Sequence, residues 1–106
     1  MYKISEGLKK ALDKRKKTTE GTIEDYFVGK VEDVGGVAIK IRLIRGFPDR
    51  VVLLPGGVCE FVELKRPVGG KFEPLQTKWH ARLRKLGFVV VVLRDKPAVD
   101  SYLGTF

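Results

Sequence analysis

Six consecutive apolar residues, Phe88 to Leu93, most limit what this chain can fold into. The run is far short of the roughly 20 residues that span a bilayer. It reads instead as a strand, central in a sheet, buried on both faces and parallel to a neighbour. A parallel neighbour demands a crossover connection, and the residues just before the run supply one. Pro74 sits well as the first residue of a helix. Leu75, Trp79, Leu83 and Leu86 recur along its buried side, and Gly87 stops it.

The segments upstream provide partners for that strand. Ile23, Tyr26, Phe27, Val31 and Val34 form a helical stripe. Thr22 can cap it, Glu24 and Asp25 suit its positive end, and Gly35-Gly36 ends it. Val37, Ile39, Ile41 and Leu43 alternate with polar residues, which predicts a half-buried strand over 37–44. Gly46-Phe47-Pro48-Asp49 breaks it. Arg50 to Leu54 is a second strand, and Pro55-Gly56-Gly57 turns it into a third, Val58 to Lys65. Lys96-Pro97 opens a last helix with Val99, Tyr102 and Leu103 facing in. The predicted fold is α/β, in the order α-β-β-β-α-β-α: a mixed four-stranded sheet flanked by helices.

One domain fits the length of 106 residues, with residues 1–19 as a basic arm or short helix ahead of residues 20–106. Ile4, Leu8 and Leu12 recur every four residues in that arm, which also carries Lys14-Arg15-Lys16-Lys17. Cys59 is the sole cysteine, so no internal disulfide or Cys-rich zinc site can form; it is expected to be a small, inert, half-buried strand residue. The N-terminus has no apolar stretch of signal-peptide length, which predicts an intracellular protein. Lys and Arg number 21 against 13 Asp and Glu, a formal charge of +8 that favours polyanionic partners, nucleic acid above all.

Chemistry is concentrated in Cys59-Glu60-Phe61-Val62-Glu63-Leu64-Lys65. A strand period of two puts Glu63 and Lys65 on one side of the sheet. Burying a carboxylate or an ammonium is costly unless it is paired or bound to metal. Asp49 stands at the mouth of the preceding strand, where pairing across the hairpin would bring it beside Glu63. Two carboxylates at one strand end suit a hard divalent cation that keeps several waters. Such a cation offsets phosphate charge and acidifies bound water, while Lys65 can orient that water or stabilise transition-state charge.

The string Gly46-Phe47-Pro48-Asp49-Arg50, Pro55-Gly56-Gly57, Phe61-Val62-Glu63-Leu64-Lys65-Arg66-Pro67, Gly69-Gly70, Pro74-Leu75-Gln76 and Trp79 resembles the virus-type replication-repair nuclease (VRR-NUC) family of the PD-(D/E)xK superfamily. The resemblance covers roughly residues 20 to 103. It implies a restriction-endonuclease-like core and dependence on Mg²⁺ or Mn²⁺. It also implies catalytic roles for Asp49, Glu63, Lys65 and Gln76, with metal held by Asp49, Glu63, a strand carbonyl at Leu64, and Glu24 from the first helix. Short standalone members resemble Holliday-junction resolvases and act as dimers, so branched DNA and a second copy are the expected partners, in a bacterium or a phage's bacterial host.

Lys71, Lys78, Arg82, Lys16 and Lys17 are candidate phosphate contacts, although each could equally be part of an ordinary wet surface. His80, one turn after Gln76, is expected at the surface or against DNA rather than in the chemistry. Trp79 is expected in the core. The competing class is a catalytically silent basic module that binds nucleic acid or a protein; such a module has no reason to keep Asp49, Glu63 and Lys65 together.

Overall fold

The computed structural model describes residues 22–65 and 73–106. The N-terminal arm with Lys16 and Lys17, and Lys71, lie outside the described residues. The order is α1 (Ile23–Asp33), β1 (Val37–Lys40), β2 (Arg50–Leu54), β3 (Val58–Leu64), α2 (Pro74–Lys85), β4 (Val90–Leu93) and α3 (Lys96–Leu103). That is the predicted α-β-β-β-α-β-α series. The sheet runs β1-β2-β3-β4, antiparallel across the first two pairs and parallel between β3 and β4. No described helix is long and apolar enough to cross a membrane.

Local chemistry starts and stops the helices as the sequence predicts. Thr22 caps α1 by accepting from the Asp25 backbone N–H, and Gly35 takes a positive φ of 85° just beyond its end. Asp95 caps α3 by accepting from Ala98 N–H, with Pro97 in its first turn.

The two faces of the sheet are unequal. Against α1 and α3, Phe27, Val31, Val52, Val62 and Val99 are completely buried within one continuous core. Each such side chain contributes roughly 1.5–3 kcal/mol relative to exposure. Against α2, only Phe61, Leu83 and Val90 form a buried apolar cluster, with Ile41, Phe47 and Val51 partly buried around it. Phe47 bridges that cluster to α2 through edge-to-face contacts with Phe61 at 5.4 Å and Trp79 at 5.0 Å.

Several sequence-based expectations need correction. β1 ends at Lys40 rather than Ile44; Ile41 keeps one backbone hydrogen bond to Asp49, and the chain beyond it leaves the sheet as a loop up to Pro48. β4 is parallel to β3 as predicted but occupies the sheet edge, not its centre, and Phe88 and Val89 are half exposed ahead of it. A continuous apolar run reads the same for an edge strand under a helix as for a central one. α2 covers only the β3–β4 side, so Leu75 and Leu86 face outward instead of lining the core, and Trp79 is partly buried. Cys59 is exposed rather than half buried.

Candidate active site

Strand register assembles the site. Arg50 pairs with Val62 across the antiparallel hairpin, so Asp49 falls opposite Glu63. Glu63 in turn lies beside Val92 of the parallel strand, and the Ile41 N–H donates to the Asp49 carbonyl at 2.9 Å. Ile41, Asp49, Glu63 and Val92 therefore form one cross-strand row on the α2 side of the sheet. Lys65 follows two residues on, on the same side, its backbone N–H held by the Leu93 carbonyl at 3.0 Å.

Asp49 is fixed by its surroundings. Pro48 before it is fully buried, and its Oδ2 accepts from the Leu64 backbone N–H at 3.0 Å. Glu63 is only 2% exposed and accepts from the Asp49 backbone N–H, and the two carboxyl groups are joined by a hydrogen bond. Burial, the bond to Asp49 and the Asp49 charge together push the Glu63 carboxyl up to about 8, against the opposing pull of Lys65. Glu63 Oε1 is buried and has no hydrogen-bond partner among the described residues. A buried carboxylate oxygen without a hydrogen-bond partner, beside a second carboxylate, is a place where a cation would offset the cost of burial. Two carboxylates are the oxygen ligands through which a hard divalent ion that keeps its waters would bind, although no group of three or more acidic, His or Cys residues placed to hold a metal occurs among the described residues.

Lys65 and Gln76 meet as the sequence suggests. Lys65 Nζ donates to Gln76 Oε1 at 2.9 Å. The same oxygen accepts the Glu73 backbone N–H at 3.1 Å, at the start of α2. Pro74 opens this helix, so Gln76 occupies its third position, where a Gln can close a capping box with the N-cap residue. The helix start thereby locks Gln76, and Gln76 locks the lysine.

Glu24 is engaged by two cations. Arg50, 3% exposed, faces the α1 side with Val52 and Leu54, and its guanidinium is bonded to Glu24 and, at 3.2 Å, to the Ala38 carbonyl. Lys40 adds a second bond to Glu24 at 3.0 Å. Burial would raise the Glu24 carboxyl, but the bonds from Lys40 and Arg50 prevail and hold it below its usual range. The structure thus brings Asp49, Glu63, Lys65 and Gln76 together, while Glu24 is bonded to Arg50 and Lys40. The pattern of residues offers no hint that Arg50 would be buried.

His80 departs from its expected surface position. It is 4% exposed, with Nε2 3.6 Å from Glu63 Oε1. Burial, then the charges of Arg84 and Lys65, push its imidazole down toward the neutral form. Its spacing of one turn from Gln76 was the available signal. Lys78 and Arg82 are exposed on α2, and Arg82 rests 5.5 Å over the Trp79 ring.

The fold has a counterpart among solved structures. A protein described as "VRR_NUC domain" superposes with a TM-score of 0.69 at 33% identity, covering 78% of this chain and 91% of its own. The chain belongs to the VRR-NUC family of nucleases. It is also 47% identical over 86 residues to the protein named "Putative nuclease p44" of Acyrthosiphon pisum secondary endosymbiont phage 1, covering 79% of this chain and 90% of that one. No family model matches the chain.

Proposed function

We propose that this chain is a DNA endonuclease that hydrolyses phosphodiester bonds with Mg²⁺ or Mn²⁺, acts as a homodimer and selects branched DNA such as Holliday junctions. The observation that carries the reading is the pairing of half-buried Asp49 with buried Glu63 in one cross-strand row, with Lys65 held two residues away by Gln76. Family membership and the relative named as a nuclease support it.

Asp49 and Glu63 would hold the ion, with the Leu64 carbonyl as a third oxygen. When bound, the ion would neutralise phosphate charge and lower the pKa of a water ligand. The protein's own residues do the rest. The Leu64 N–H aims the Asp49 carboxylate. Lys65 places a positive charge where the phosphate's oxygens gain negative charge, and Gln76 keeps the ammonium from swinging away. Glu24 supports the site from the opposite face by holding Arg50 beside Asp49. It takes this role in the proposal in place of the ligand role that the family resemblance implies. Lys78 and Arg82 on α2 and the basic segments with Lys16, Lys17 and Lys71 would contact phosphates.

Cleavage of an end-labelled four-way junction beside linear duplex, with Mg²⁺ and with chelator, tests this. Paired, metal-dependent nicks across the junction are expected. Equal cutting of both DNAs would remove the junction selectivity, and tight binding without cutting would remove the enzyme.

A further inference from the structure

The 41–48 loop leaves β1 and returns directly to Asp49, and it carries an unusual tip. Leu43 is 98% exposed and Ile44 is 42% exposed, between the exposed Arg42 and Arg45. An apolar pair held in water between two cations, with its nearer residue five positions from Asp49, is not explained by folding. Single exposed apolar residues are ordinary, but here the base of the loop is rigid. A Cβ on Gly46, whose φ is 82°, would lie 2.6 Å from the Leu75 Cβ, so only glycine allows the loop to press against α2. Phe47 then seats between Phe61 and Trp79. The Phe47 N–H donates to the Ile44 carbonyl at 3.2 Å, which closes the turn. The tip therefore projects from a braced support.

We propose that the 41–48 loop is a DNA wedge, in which Leu43 inserts between unstacked bases at a branch point while Arg42 and Arg45 hold the flanking phosphates. The inference rests on the reading that the chain acts on DNA, and it supplies a physical basis for selecting branched substrates. An apolar wedge must part a base step before it gains contact, and parting costs least where stacking is already interrupted. The flanking charges favour nucleic acid over a second copy of this chain, because a two-fold contact at the loop would set arginines against arginines.

The test uses the full chain in chelator, so that binding is read without cutting, on a four-way junction carrying 2-aminopurine at the branch and on a linear duplex carrying it internally. Fluorescence of the junction is expected to rise on binding. In Leu43→Ser the rise disappears and junction affinity falls about tenfold, as expected for one lost apolar seat, while affinity for the linear duplex stays within about twofold. Leu43→Met restores the rise. A rise that Leu43→Ser leaves unchanged overturns the wedge. So does a change of oligomeric state in Leu43→Ser by sedimentation with fluorescence unaltered, which would make the loop a protein contact. Metal-dependent cutting with no Leu43-dependent rise sinks the wedge alone. A Leu43-dependent rise without any cutting sinks the nuclease reading and leaves the wedge standing. Failure to bind either DNA overturns both.

Discussion

The two faces of one sheet do different work. Against α1 and α3, alternate residues of β2, β3 and β4 meet helix side chains in a continuous apolar core, and the charged Arg50 there is paired with Glu24. Against α2, the first cross-strand row, Val37, Leu53 and Cys59, is largely open, with Leu53 42% exposed. The second row holds the small Phe61 cluster, and the third holds Asp49 and Glu63. Three rows on one surface thus run from open apolar to packed apolar to buried acid. A face closed from end to end stabilises the fold and leaves no room for a ligand. A face covered only in part can keep charged groups desolvated at one end and still reachable.

Removing packing from the closed face should have the largest effect. Phe27→Ala empties the centre of the α1 core and is expected to cost about 3–5 kcal/mol, which denaturant unfolding would report. A loss below about 1 kcal/mol would show that the α1 face is not the main source of stability.

The acid row should be destabilising in the metal-free protein, and pH exposes it. The Glu63 carboxyl is raised from 4.5 to about 8, so the folded state favours its protonated form. The associated stability is fully present below pH ~4.5 and is lost as pH climbs toward 8. Glu63→Gln, which mimics the protonated acid, should therefore be more stable than the parent at pH 8 by on the order of 2–4 kcal/mol. The gap should close near pH 5. Thermal unfolding in chelator at both pH values measures it, and a pH-independent gap would mean that packing rather than ionisation sets it.

The smallest change belongs to the open row. Leu53→Ser should alter stability by no more than about 0.5 kcal/mol. A larger loss would reveal that something covers that row in solution.

How much of this was legible beforehand follows from what local sequence encodes. The strand period placed Glu63 and Lys65 on one side, and two turn signals placed Asp49 opposite, so the row could be read from spacing. Pro74 fixed the start of α2 and with it the position of Gln76. The rest depended on which elements cover which face. Alternation continues through Leu43, yet the pairing stops at Lys40 because the chain turns out to form the braced loop. Leu75 and Leu86 keep helical spacing, but α2 is set over the β3–β4 side and leaves them in solvent. Nothing in the sequence marks Arg50 at the start of β2 as buried, and only the position of α1 behind β2 makes it a buried partner for Glu24. His80 looked exposed for the same reason, since its burial is decided by the face α2 turns toward Glu63.

Asp49 and Glu63, at the end of the open face, are proposed to bind the ion that cleavage requires. Calorimetric titration of the full chain with Mg²⁺, set beside DNA cleavage by the parent and by Glu63→Ala, tests it most directly. The parent is expected to bind Mg²⁺, and Glu63→Ala to lose both binding and cutting while keeping the fold. A folded Glu63→Ala protein that binds Mg²⁺ and cuts DNA as the parent does would contradict it.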